Sequence, residues 1–168
     1  INVTNLLSTN AVVLANGNGF DGTLDLRLAD ATAATDTVAV NFKDETNGAN
    51  GYDVTLEVEA DVETTTLSLE KYQSDGTTDN TGDIDVNVDG VKSANITITG
   101  GGAGTDLDLT EDSKTLSTTS TSLDSTGYIG TLTASASANV ATTFNLGATA
   151  IQTITGSSKV DTVTLSAT

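Results

Sequence analysis

Ile96-Thr97-Ile98-Thr99-Gly100-Gly101-Gly102-Ala103-Gly104-Thr105-Asp106-Leu107-Asp108-Leu109-Thr110 decides how the rest of the chain is read. Its first four residues alternate apolar and hydroxyl side chains, a glycine-rich run follows, and alternation resumes at Thr105. Alternation with period two puts one set of side chains on each face of a strand. Glycine reaches backbone conformations that other residues avoid, so Gly100 to Gly104 marks a sharp change of direction. The stretch predicts a strand, a corner and a second strand, with Asp106 and Asp108 just beyond the corner.

The same alternation recurs along the chain. It is strict in Thr23 to Leu28, Thr37 to Phe42, Asp53 to Glu59 and Thr66 to Leu69. It returns in Asp83 to Val88, Asn95 to Ile98, Thr131 to Ala134 and Thr162 to Leu165. No stretch holds helical spacing; the best candidate, Leu28 to Ala34, is Ala-rich and long enough for one turn at most. Turn chemistry separates the runs at Asn16 to Gly22, Glu45 to Gly51, Ser74 to Gly82 and Gly100 to Gly104, and Asp89-Gly90 reads as a tight hairpin-like signal.

Many short strands at regular spacing predict an all-β fold of one of two kinds. One is a β-solenoid or β-roll-like stack, each strand lying on its equivalent in the next coil. The alternative is a β-sandwich. Three Tyr, three Phe and no Trp are few large residues for a sandwich core, whereas a thin solenoid core fills with ladders of Val, Ile, Leu and Ala. The reading therefore favours the solenoid. It expects residues 1–168 to form a single β-rich segment. Two sub-regions are expected within it, an acidic part with long loops (1–110) and a Ser/Thr/Ala-rich part of thin coils (111–168).

Composition narrows function. The 168 residues carry 23 Asp and Glu against 6 Lys and Arg, a formal charge of −17. Such a chain repels nucleic acid and anionic membrane and attracts divalent cations. There is no His and no Cys, so Ser-His and Cys-His nucleophiles and thiolate metal sites are excluded. Carboxylates are spread throughout, so no glycosidase pair stands out. The six basic residues are scattered singly, Arg27 being the one arginine, and make no nucleic-acid patch. The expectation is a protein that is not an enzyme. No apolar run is long enough to span a bilayer. Without an initiator Met or a basic-then-apolar leader, Ile1 reads as an internal start, and the chain as a segment of a larger protein. Threonine makes up about a fifth of the residues, which with Ser, Asn, Asp and Gly is the profile of a secreted bacterial surface protein.

Gly101-Gly102-Ala103-Gly104-Thr105-Asp106-Leu107-Asp108-Leu109 resembles the G-G-x-G-x-D-x-U-x repeat of RTX-type calcium-binding proteins, where U is a large aliphatic. It keeps the three glycines and the aspartate and departs at U, where Asp108 stands. Gly156-Ser157-Ser158-Lys159-Val160-Asp161-Thr162-Val163-Thr164 keeps the first glycine, the aspartate and Val163. Thr35-Asp36-Thr37-Val38 keeps only the aspartate and the strand. With phrases such as Leu123-Asp124-Ser125-Thr126-Gly127-Tyr128, the chain resembles the degenerate RTX-like repeats in Caulobacter- and Campylobacter-type S-layer proteins and related large RTX surface proteins. That resemblance implies type I secretion, calcium-dependent folding outside the cell and self-assembly at the cell surface.

Calcium takes six to eight oxygen ligands from carboxylates, carbonyls and water, and Gly-rich turns offer carbonyls. The candidate metal ligands are Asp106 and Asp108 with Gly102 and Gly104, then Asp161 with Gly156, then Asp21 in the oxygen-rich turn Asn16 to Gly22. Asp106 and Asp108 share a strand face, which is either a cation cluster or simply an exposed surface. Asp83, Asp85, Asn87 and Asp89 offer the same choice, and Asp75 to Asp83 lacks the order of an EF-hand loop. The functional expectation is a structural component of a calcium-stabilised bacterial surface layer that assembles with copies of itself. The alternatives are an adhesin or phage-type fibre segment binding glycans such as cell-surface polysaccharide, and, behind it, a calcium-dependent lyase-like solenoid.

Overall fold

The computed structural model describes residues 1–15, 20–43, 50–58, 61–70, 84–89, 91–102, 105–109, 115–148 and 151–166. Among them are fourteen strands and no helix. In chain order these are β1 (Asn2–Leu6), β2 (Ala11–Ala15), β3 (Phe20–Leu28), β4 (Thr37–Lys43), β5 (Asn50–Val58), β6 (Thr64–Glu70) and β7 (Ile84–Asp89). They continue as β8 (Asn95–Gly100), β9 (Thr105–Asp108), β10 (Ser122–Tyr128), β11 (Thr131–Ser135), β12 (Thr143–Leu146), β13 (Ile151–Thr155) and β14 (Thr162–Leu165).

Odd-numbered strands form one seven-stranded sheet in the order β1-β3-β5-β7-β9-β11-β13, and even-numbered strands form the other, β14-β12-β10-β8-β6-β4-β2. Every pairing is parallel. Successive strands therefore never pair with each other; the chain changes sheet at every connection and pairs with the strand two steps earlier. That topology corrects two local readings. Asp89-Gly90 is not a hairpin, because β7 pairs in parallel with β5 and β9, and the next strand, β8, lies in the other sheet. Parallel neighbours need a crossover, not a tight turn. The Leu28 to Ala34 candidate is not helical: Leu28 ends β3, and the Asp30 carboxylate accepts hydrogen bonds from the Thr32 amide (3.0 Å) and hydroxyl (2.6 Å). That local turn competes with helix formation.

Inward positions build the core. In the second sheet Val12, Val40, Leu67 and Ile98 lie in register, beside a column of Val38, Thr65, Ile96, Leu123 and Phe144 that ends on the exposed Val163 of β14. In the first sheet Tyr52, Val86, Leu107 and Leu132 form a column, and Leu24 stacks on Leu56. Phe42 and Tyr52 meet edge-on across the two sheets with ring centroids 5.5 Å apart, and the Tyr52 hydroxyl donates to the Lys43 carbonyl. Thr65, polar but fully buried, is satisfied by the Ser93 hydroxyl at 2.8 Å, and Ser120 donates to the Ser93 carbonyl at 2.8 Å.

The corner after β8 needs its glycines. Gly100 and Gly101 have φ of 80° and 82°, in the left-handed region. A Cβ on Gly100 would lie 2.3 Å from the Leu69 carbonyl oxygen, and one on Gly101 2.6 Å from the Tyr128 ring. The spacing between paired strands varies: in the second sheet equivalent residues are 27 apart at Asp36 and Glu63, 31 at Thr64 and Asn95, 27 at Ser93 and Ser120 and 19 at Thr142 and Asp161, and in the first sheet they reach 34 at Asn50 and Ile84.

Candidate cation-binding face and corners

The outward face of the first sheet concentrates carboxylates because parallel register stacks equivalent positions. Asp21 lies beside Asp53, Asp53 beside Asn87, and Asn87 beside Asp108. One row over, Asp106 is the register partner of Asp85. At the far side of β3, Asp25 sits between Asn2 and Glu57. Neighbouring strands lie about 4.8 Å apart, and unit charges at that distance repel by about 1 kcal/mol in bulk water. Beyond β9 the rungs change character: Asp106 continues into Thr131, and Asp108 into Thr133 and Thr153.

Two ion pairs are seen among the described residues. Arg27 bridges Asp25 at 3.1 Å, and Lys43 bridges its register partner Glu70 on the second sheet at 3.2 Å.

Asp106 and Asp108 are thus on a strand, on the outward face. Asp21 belongs to β3, since Phe20 pairs with Tyr52 and Asp21 with Asp53, which extends the strand into what read as a turn. The register puts Asp21 and Asp108 on one rung with Asp53 and Asn87 between them. Gly102 is at the corner before β9, where its carbonyl accepts from the Thr105 amide (3.1 Å) and hydroxyl and its amide donates to that hydroxyl. Gly104, and the loop from Asp75 to Asp83, lie outside the described residues. The Asp106 charge reaches Tyr128: burial raises the pKa of that hydroxyl, and Asp106 raises it further. Tyr128 keeps its proton and donates it to the Thr131 carbonyl at 3.0 Å.

Asp161 and Gly156 come together at the last corner, beside the second sheet and apart from the acidic face. Asp161 accepts from the Thr142 amide (2.9 Å), the Ser157 amide (2.6 Å) and the Ser157 hydroxyl (3.1 Å). The Thr142 amide, then that of Ser157, holds its pKa below the ordinary value. A Cβ on Gly156 would meet the Asp161 carboxylate at 2.8 Å, so glycine lets this carboxylate close over the turn.

The sequence reading gave Asp36 no ligand role, and among the described residues it is the one carboxylate that is buried. It is 4% exposed, and its Oδ2 is buried without a hydrogen-bond partner. Its amide donates to Glu63 Oε2 at 2.9 Å, so two carboxylates share one corner. Thr142 Oγ1 is the other buried side-chain oxygen without a partner among the described residues.

Among the described residues no three carboxylates converge on one point. A cation on the flat face would complete its shell from Asn, Thr and water oxygens. An apolar cavity of about 210 Å³ is lined by Val88, Val91, Ile96, Leu109 and Leu116, with Lys92 as the titratable group among its described lining. No family model, no curated protein and no solved structure matches this chain. Among the described residues no helix is long and apolar enough to cross a membrane.

Proposed function

We propose that this chain is a structural segment of a calcium-supported bacterial surface layer, related to the RTX-like repeats of S-layer proteins. In this reading the alternation between two parallel sheets is a β-solenoid, each odd and even strand pair forming one coil. The observation that carries the proposal is the acidic rung Asp21-Asp53-Asn87-Asp108 with Asp106 beside it. Parallel stacking of like charges costs stability until cations gather there. Calcium fits because every donor on the face is oxygen and the spacing follows the sheet, not an octahedron. Asp21, Asp53, Asp106 and Asp108 would hold the ions loosely, in the millimolar range typical of extracellular modules. Cation binding to the folded state alone adds to folding free energy. Inside a cell, at low free calcium, the same repulsion keeps the chain loose for type I export; outside, folded copies pack with each other. The reading assigns no catalysis.

The glycan-binding alternative has one observation in its favour. The outward face of the second sheet carries a rung of Thr37, Thr64, Asn95, Ser122, Thr143 and Thr162, a flat row of hydroxyls and amides suited to a polysaccharide.

Calcium titration of the EDTA-stripped chain, followed by circular dichroism and light scattering, tests the main reading. The expected result is a melting temperature several degrees higher at millimolar calcium than in isoionic sodium chloride, with larger species appearing. A chain fully folded and monomeric in EDTA, with no assembly at millimolar calcium, overturns it. Polysaccharide binding without self-assembly selects the alternative.

A further inference from the structure

We propose that Asp36 and Glu63 form a discrete site for one hard divalent cation, at the corner where the chain enters the second sheet. The inference rests on the calcium reading for the identity of the ion and goes beyond it in location. Asp36 stands immediately before β4, and Glu63 immediately before β6, at equivalent positions of successive coils. The Asp36 side chain is withdrawn from solvent, yet its Oδ2 meets no donor. A buried carboxylate oxygen without a donor is costly, and a second carboxylate alongside adds to that cost. The contact that joins them spends an amide, not a cation: the Asp36 N–H donates to Glu63 Oε2. The Asp36 carbonyl is already taken by the Thr64 amide at 3.1 Å.

The last coil supplies the comparison. Asp161-Thr162-Val163 repeats the tripeptide Asp36-Thr37-Val38, and Thr37 and Thr162 lie on one rung of the second sheet. At Asp161 three protein donors satisfy the carboxylate. At Asp36 Oδ2 there is none, and the neighbouring side chain is an acid. The same sequence in the same place thus has a donor deficit at one end of the stack and not at the other. A cation between two carboxylates removes that deficit. With oxygen as the sole donor type the ion is hard, and calcium accepts an irregular, partly dehydrated shell that magnesium resists.

The test uses the full 168-residue chain, stripped with EDTA and titrated with calcium chloride, with magnesium chloride and isoionic sodium chloride as controls. Amide resonances and melting temperature are read together. The Asp36 and Thr64 amides are expected to shift and saturate with one ion per chain, before the amides of the acidic face. Asp36→Asn, which removes the buried charge, is expected to melt in EDTA no lower than the parent and to lose the one-ion phase. Glu63→Gln, which keeps an acceptor for the Asp36 amide, is expected to weaken that phase at least tenfold. The paired variant Asp53→Asn, Asp108→Asn leaves it unchanged. If calcium stabilises Asp36→Asn as much as the parent, or moves only the face amides, the calcium reading stands and this site falls. If calcium changes neither spectrum nor melting temperature, both fall.

Discussion

Gly100 carries a constraint that composition alone does not reveal. Its positive φ already disfavours any side chain, and a methyl group there would drive into the backbone oxygen of Leu69 in the neighbouring strand β6. Gly100→Ala should therefore cost roughly 2–5 kcal/mol, the sum of left-handed strain and overpacking, read as a lower urea midpoint. Asp161 makes a pH prediction. Its folded pKa lies below the ordinary 3.8, so its stabilising effect is complete above that value and is lost as pH falls through the folded value. The amides of Ser157 and Thr142 should lose hydrogen-exchange protection below about pH 3.8, ahead of the core, and Asp161→Asn should abolish that pH dependence. The glycine corner was legible because glycine runs have a local cause. The difference between Asp36 and Asp161 was not: both sit in Asp-Thr-Val, and what separates them is which donors other parts of the chain bring.

Strands were the most legible elements, since alternation is a property of a few adjacent residues. Thr37 to Phe42 lies within β4 as the pattern implied, and Asp53 to Glu59 lies within β5 as far as Val58, Glu59 being outside the described residues. Partners were not legible, because neighbours across a rung are 19 to 34 residues apart and set by loop length. Turn chemistry at Asp89-Gly90 is the same for a hairpin and for a corner, so the residues could not say which sheet came next. Asp21 was read into a turn for a similar reason: only its pairing with Asp53 draws it into β3. The acidic face existed in the sequence as scattered aspartates, and register alone assembled it. Within an element, burial decides the cost of change. Leu67 is fully buried in the middle of β6, between Val40 and Ile98 in register. Leu67→Ala should destabilise by about 2–5 kcal/mol in denaturant unfolding, and Ser68→Ala, one residue along on the outward face, by far less.

At the scale of the molecule, charge is graded. Carboxylates crowd the rungs from β3 to β9 and give way to threonine from β11, while the spacing between paired strands ranges from 34 residues (β5 to β7) to 19 (β12 to β14). The parallel stacking has a mechanical consequence. The first two strands lie at one end of the sheets and the last two at the other, so the hydrogen bonds between strands run along the line joining the ends. A pull applied to the two termini loads those bonds in tension, a few at a time, instead of shearing whole strands past one another. The molecule should unravel as a string of small rips, each freeing the chain between one strand and its parallel neighbour. In single-molecule force spectroscopy the shortest of these stretches, 19 residues, should release about 65 Å of contour and the longest, 34 residues, about 115 Å, at roughly 3.4 Å per residue. A single rip of the whole length would contradict this. Each strand would then act as a yielding link, extending under load while the strands behind it stay paired.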